Sequence, residues 1–227
     1  LLSTYICHPS MVNNELSGPV IAAFIARWLS LAPRKFTYRL VFLPETIGAI
    51  AYLDRNLEDL KERVVAGFNL SCLGDERCYS VVGSRYGDTM ADRVANRILN
   101  RRKDRGERTV KYSFLERQSD ERQYCSPGVD LPLVTLCRSR YGMYPEYHTS
   151  LDDFDLVTVA GIEGGFQYVR DCLLDLEENS RYQAVACCEP QLGKRGLYPQ
   201  HGSRESGAQP GSEMVMKSLN VRSVLNV

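Results

Sequence analysis

Two of the three histidines lie in short polar segments that follow strand-like apolar runs. These are His8, near the start of the chain, and His148, in the polar stretch that leads to Asp152. Glu45 ends a third apolar run. An imidazole or a carboxylate in such a place can hold a metal ion or act as a general base, because the strand is rigid and the following loop is open to substrate. The three residues are therefore the candidate parts of a zinc hydrolase site.

The composition is that of an ordinary globular protein. The chain has 227 residues, of which 44% are hydrophobic and 25% charged, so it can bury a full core. Its net charge of zero gives no argument for binding to nucleic acid or to an acidic membrane surface. The longest apolar stretches are well short of the roughly 20 residues that cross a bilayer. Because the chain opens in what resembles a core strand, we expect it to be an N-terminally truncated fragment.

The eight cysteines are interpreted as reduced thiols, which indicates a cytoplasmic protein. Four of them lie in apolar runs, where a free cysteine packs as a small buried hydrophobe: Cys7, Cys72, Cys137 and Cys172. No two cysteines have the C-x-x-C spacing of a structural zinc knuckle.

Strand-like and helix-like segments alternate along the chain. Strands are predicted at 4–7, 36–43, 64–70, 79–82, 110–114 and 133–137, and helices at 17–32, 47–53, 90–103 and 162–176. Ser17 is the predicted N-cap of the first helix. The alternation predicts an α/β protein, a three-layer sandwich whose central, mostly parallel or mixed sheet has helices on both faces. In such sheets the active site lies beyond the carboxyl ends of the strands, where His8, Glu45 and His148 all fall.

The predicted domain boundary lies late in the chain. Residues 1–199 are assigned to one domain and residues 200–227 to an irregular tail, within which the Gly, Ser and Pro content of 202–212 is typical of disorder.

Each candidate residue also has a purely structural interpretation. His8 could be a hydrogen-bonded histidine at the end of a strand, Glu45 could cap the helix that follows it, and Asp152 could be a carboxylate at a helix start. The combination of the residues, and the local sequences around them, favour the functional interpretation.

Four local sequences occur in order and resemble a known superfamily. They are His8-Pro9-Ser10-Met11-Val12-Asn13-Asn14-Glu15-Leu16-Ser17-Gly18, Pro44-Glu45-Thr46-Ile47-Gly48, Ser119-Asp120-Glu121-Arg122-Gln123-Tyr124-Cys125-Ser126-Pro127-Gly128 and Tyr147-His148-Thr149-Ser150-Leu151-Asp152. They are similar to a bacterial, aminopeptidase-like branch of the zinc aminopeptidase superfamily, which also includes glutamate carboxypeptidase and glutaminyl cyclase. The resemblance covers residues 1–199 and implies a zinc exopeptidase fold. Residues 190–199 also resemble this branch, in which a winged-helix module can follow.

The resemblance assigns a role to each matching position. His8 matches the first zinc ligand and His148 the last, while Glu45 matches the general base that takes a proton from water. Asp152 would fix the loop or support a ligand from behind. The segment with Glu121 and Tyr124 matches the substrate pocket, where Glu121 could recognise a free amine or form an internal ion pair with Arg122.

Three positions depart from the superfamily pattern. Asn14 stands where an aspartate would bridge two zinc ions, Thr46 stands where a second glutamate would be, and Ser71 aligns with a later ligand aspartate. Asparagine is a neutral and weak zinc ligand. We therefore expect at most one zinc ion, on His8, His148 and weakly Asn14. A third ligand from Glu15, Glu121 or Asp130, or a site that no longer binds metal, remain as alternatives.

The sequence predicts a zinc-dependent, aminopeptidase-like hydrolase of amide or peptide bonds with a mononuclear or degraded metal site. Its substrate would be a small peptide or an aminoacyl compound, and neither nucleic acid nor membrane is expected as a partner. The alternative is a non-catalytic binding or scaffold module on the same fold, which Asn14 and Thr46 favour.

Overall fold

Six short strands form one mixed sheet at the centre of residues 1–178, the part of the chain that the computed structural model describes. The strands are β1 (Leu2–Tyr5), β2 (Leu40–Leu43), β3 (Gly67–Leu70), β4 (Tyr79–Val82), β5 (Thr109–Tyr112) and β6 (Leu133–Cys137). Their order in the sheet is β2-β1-β3-β6-β4-β5. The first four in that order are parallel, whereas β4 is antiparallel to β6 and parallel to β5. The carboxyl ends of β1, β2, β3 and β6 therefore lie at the same edge of the sheet.

Helices cover both faces of the sheet. They are α1 (Ser17–Leu29), α2 (Ile47–Arg63), α3 (Met90–Asp104), α4 (Glu121–Tyr124) and α5 (Val159–Glu178). One large core joins the sheet to α1, α3 and α5, and a second core joins it to α2 and α4. The predicted three-layer α/β sandwich with a mixed sheet is confirmed. None of the helices within residues 1–178 has the length and apolar character needed to span a bilayer.

The start of α1 differs from the prediction. A single π-helical turn, Val12–Leu16, comes directly before α1, so that Ser17 has helical backbone angles and is not the N-cap. The Ser17 hydroxyl donates to the carbonyl oxygen of Asn13 at 2.5 Å and accepts the N–H of Leu73 at 2.9 Å. Ser17 thus joins the π-turn to the segment after β3.

Helix α5 packs against the segment after β3 through glycines. A Cβ atom at Gly165 would overlap the carbonyl oxygen of Leu73, and a Cβ atom at Gly161 would overlap that of Gly74. Only glycine permits this close approach of α5 to residues 73–74.

The structure bears on the predictions for the cysteines but not on the prediction for the tail. The six cysteines within the described part of the chain are free thiols, but Cys7 is exposed and not buried, because it lies beyond the end of β1. The predicted tail 200–227, with its segment 202–212, lies outside the described residues.

Candidate functional site

The two histidines meet at the carboxyl edge of the parallel strands. His8 follows β1 and His148 lies on the loop after β6, and their ring centroids are 4.7 Å apart with an angle of 43° between the planes. The ring of Tyr147 stacks on that of His148 with a centroid distance of 4.0 Å. The prediction that two imidazoles 140 residues apart in the sequence converge is confirmed.

His8 is held by a buried carboxylate. Its Nδ1 lies 2.7 Å from Oε1 of Glu15, a residue of the π-turn that is only 3% exposed. The Glu15 carboxylate also accepts the N–H of Cys7 at 2.7 Å and the side-chain N–H of Asn14 at 2.9 Å. Three contacts from two segments therefore fix the position of this carboxylate.

Asn14, a predicted metal ligand, is part of a neutral hydrogen-bond network. Its Oδ1 accepts the hydroxyl of Tyr5 at 3.1 Å, while its Nδ2 donates to Glu15. The Tyr5 hydroxyl is also 2.5 Å from the hydroxyl of Ser71. Burial raises the pKa of Tyr5 far above its ordinary value, so the phenol stays neutral. Both sequence positions that depart from the superfamily's aspartates thus form a single uncharged cluster.

Glu45 follows β2, the neighbour of β1 in the sheet, so it lies at the same edge as His8, and it does not cap α2. Its Oε1 accepts the hydroxyl of Ser119 at 2.7 Å. Burial raises the pKa of Glu45; the hydrogen bond from Ser119 opposes this rise, and the negative charge of Glu15 adds to it. The N–H of Thr46, which precedes α2, donates instead to Asp120 at 2.7 Å. Oε2 of Glu45 takes no part in the hydrogen bond to Ser119.

Asp120 is a buried carboxyl group that the sequence interpretation passed over. It is fully buried, and its Oδ2 has no hydrogen-bond partner. Burial is the main reason that its pKa rises to about 7, and the charges of Glu45 and Glu121 act in the same direction. Ser119 and Asp120 lie in the third local sequence, but nothing in that sequence shows that they, and not their neighbours, face Glu45 and Thr46.

The two predicted substrate-binding residues lie inside the protein. Glu121 is fully buried and accepts hydrogen bonds from four donors: the N–H groups of Gln118 and Ser119 and the hydroxyls of Thr135 and Tyr141. Tyr124 is also fully buried, with its hydroxyl 2.9 Å from that of Ser3. Arg122 donates to the hydroxyl of Thr46. Glu121 shapes the loop that carries Ser119 and Asp120, and direct binding of substrate by Glu121 or Tyr124 stays a prediction.

Asp152 connects the two histidine segments. Its carboxylate accepts the backbone N–H of Asn13 at 2.6 Å and that of Asn14 at 3.0 Å, and it also accepts the hydroxyl of Tyr144. Asp152 thus ties the π-turn, and with it Glu15, to the loop that carries His148.

Unusual backbone angles are concentrated around the site. Within residues 1–178, five residues other than glycine have positive φ, and four of them flank the site: Ser10, Thr46, Cys72 and His148. A positive φ is costly for most residues, above all for a β-branched threonine. Such conformations persist where surrounding contacts over-determine them, which is typical of functional sites.

The site brings together two side chains of a type that binds zinc. Two imidazoles from different loops meet, and imidazole nitrogen is a good zinc ligand. The neutral cluster of Tyr5, Asn14 and Ser71 offers no anionic donor for a second ion. Within residues 1–178, no group of three or more His, Cys, Asp or Glu side chains is arranged as a ready metal site.

Two known protein families match different parts of the chain. Residues 1–179 match the family described as Domain of unknown function (DUF4910). The chain belongs to this family. Residues 180–223 match a second family, described as winged helix-turn-helix.

Individual relatives of this DUF4910 chain agree with the fold. A curated protein of Clostridium acetobutylicum is 38% identical over 199 residues, 87% of this chain and 45% of that protein, and its name proposes polysaccharide biosynthesis and an aminopeptidase-like domain. A solved Clostridium acetobutylicum structure, described as a proposed peptidase, has a TM-score of 0.76 at 38% identity over 86% of this chain and 45% of that chain. The Bacillus subtilis zinc aminopeptidase BSAP has a TM-score of 0.60 at 15% identity over 79% of this chain and 46% of that chain.

These likenesses confirm the resemblance to the zinc aminopeptidases at the level of the fold. The chain spans about 45% of the length of the curated relative. Residues 1–178 form an aminopeptidase-like domain.

Proposed function

We propose that this domain hydrolyses the amide bond of small amino-terminal or aminoacyl substrates, with at most one zinc ion. The observation that carries the proposal is the convergence of His8, His148 and Glu45, from three segments, at one edge of the sheet. Each of these residues has the type required for metal-assisted hydrolysis, and they come from different strand ends, as functional groups do in open α/β sheets.

His8 and His148 would hold the ion. When bound, zinc supplies a Lewis acid that polarises a carbonyl group and makes a water molecule more acidic. The protein itself would contribute orientation: Glu15 holds His8, and Tyr147 stacks on His148.

Glu45 would accept the proton from the attacking water molecule. A general base works best when its pKa is close to the working pH, and burial raises the pKa of Glu45 in that direction. Ser119 holds Oε1 of Glu45 by a hydrogen bond, and Oε2 would then face the reacting molecule. Positioning of this kind reduces the loss of orientational freedom on reaching the transition state.

The first experiment measures the metal content of the purified protein and hydrolysis of a series of aminoacyl amides and p-nitroanilides. We expect no more than one zinc ion per chain and a slow hydrolysis that chelator removes and zinc restores. Metal without hydrolysis would favour the binding module, and two tightly held ions per chain would contradict the single-ion proposal.

A further inference from the structure

We propose that Glu15 is a positioning residue, which holds the His8 imidazole in its Nδ1–H tautomer so that Nε2 keeps a free lone pair. The inference deepens the proposed function, since His8 is one of its two imidazoles. It does not depend on bound metal, because the tautomer is a property of the protein alone.

The hydrogen bonds of Glu15 leave His8 one role at Nδ1. An ionised carboxylate can only accept hydrogen bonds. The N–H of Cys7 and the side-chain N–H of Asn14 are obligatory donors, and both point at the Glu15 carboxylate. The remaining contact, 2.7 Å from Oε1 to Nδ1 of His8, therefore requires the proton on Nδ1. In the neutral ring, the lone pair is then on Nε2.

The surroundings keep Glu15 in place. It is 3% exposed, and it lies in a π-helical turn whose backbone N–H groups at Asn13 and Asn14 are held by Asp152. Single π-turns are rare in proteins and frequent at functional sites. The added residue of this turn places three successive polar side chains, those of Asn13, Asn14 and Glu15, in the interior.

Asn14 supports the Glu15 carboxylate through the same contacts. An amide can donate to Glu15 through Nδ2 while it accepts from Tyr5 through Oδ1. An aspartate in this place would lack the donor and would set a second negative charge against Glu15. The pair Asn14-Glu15 therefore acts as one unit, in which the neutral residue supports the charged one.

The tautomer can be measured directly, because the chain has only three histidines. Long-range proton–nitrogen NMR spectra of the metal-free protein, uniformly labelled with nitrogen-15, distinguish protonated from unprotonated ring nitrogens at about pH 8, where an ordinary imidazole is neutral. We expect the proton of His8 on Nδ1. A His8→Gln variant assigns the signals.

Glu15→Gln should change this tautomer. With its amide oxygen accepting from the N–H of Cys7, the new side chain sets its NH₂ group in the place of Oε1. There it faces Nδ1 of His8, which favours the proton on Nε2, and the Asn14 amide, which must turn so that its oxygen accepts. Glu15→Asp keeps an acceptor and should retain the Nδ1–H form in part. Glu163→Gln changes an exposed glutamate on α5 and should leave the His8 signals unchanged.

Zinc titration by calorimetry supplies the functional readout. Loss of a carboxylate that orients a ligand histidine lowers metal affinity by about 10- to 100-fold, and we expect this for Glu15→Gln and a smaller loss for Glu15→Asp. If the wild-type His8 carries its proton on Nε2, or if Glu15→Gln leaves the tautomer unchanged, the inference is wrong even if the protein hydrolyses amides. If the tautomer shifts but the wild type neither binds zinc nor hydrolyses amides, the inference is correct and the proposed function fails.

Discussion

Glu45 is the residue on which the hydrolytic proposal depends most directly. Glu45→Gln keeps an oxygen that can accept from Ser119 but removes the proton acceptor. We expect a fall of about 10²- to 10⁴-fold in kcat, with zinc content and melting temperature nearly unchanged. Steady-state kinetics with the best aminoacyl amide measure this, and unchanged turnover would reduce Glu45 to a structural role.

Asn14→Asp tests the departure from the superfamily pattern. Without metal, the new carboxylate faces Glu15 and loses the hydrogen bond from Nδ2, which we expect to cost about 1–3 kcal/mol of stability. With zinc, the added negative charge should bind the ion more tightly. Because the metal binds only the folded state, tighter binding raises the stability of that state. The melting temperature should therefore be lower than wild type in chelator and rise more steeply with added zinc. An equal response of both proteins to zinc would show that Asn14 does not limit metal binding.

At the residue scale, the sequence could predict which histidines converge but not which groups hold them. The convergence follows from strand ends that share an edge, which periodicity reveals. The contact between Glu15 and His8 depends on a π-turn, and the residue between Glu45 and α2, Thr46, has a positive φ. Neither backbone feature has a sequence pattern of its own, because tertiary contacts impose both.

At the scale of elements, the bounds of β4 and β6 agree with the prediction, and others differ for identifiable reasons. The strand predicted at 36–43 begins only at Leu40, since the N–H groups of Lys35 and Phe36 donate to the Glu177 carboxylate and not to a neighbouring strand. Helix α2 continues to Arg63, ten residues past the predicted end, because apolar residues persist at helical spacing up to Leu60 among many charged ones.

The contact of α5 with the segment after β3 gives a prediction at this scale. An alanine is about 1 kcal/mol better than glycine inside a free helix, so Gly165→Ala would stabilise α5 if space allowed. Because the new Cβ would overlap the carbonyl oxygen of Leu73, we expect instead a loss of about 1–3 kcal/mol. Urea denaturation measures the change. Glu163→Ala, at an exposed position of the same helix, should stay within about 0.5 kcal/mol of wild type, and a stabilising Gly165→Ala would contradict the close packing.

For the whole molecule, Asp120 should shape the dependence of stability on pH. Its pKa rises on folding from 3.8 to about 7, so between these values the folded protein binds more protons than the unfolded chain. The contribution of Asp120 to stability is therefore present at low pH and lost as pH rises through this window. Relative to Asp120→Asn, the wild type should lose up to about 1.4 kcal/mol per pH unit across it.

Urea unfolding of both proteins in chelator, at several pH values across this window, measures the difference. Chelator matters because a nearby cation would favour the charged carboxylate. Parallel curves for the wild type and Asp120→Asn would show that Asp120 ionises normally in the folded protein.

The bonds from Asp152 to the π-turn also bear on how the site comes into being during folding. Its acceptor oxygens and their amide donors are 138 and 139 residues apart along the chain, so this closure is among the longest-range contacts of the domain. Closing so large a loop is slow and is rewarded only after the intervening strands have paired. A partly folded chain with β1 and α1 in place but β6 undocked would hold His8 without His148. The edge that carries both histidines is therefore complete only once the strands between them have paired.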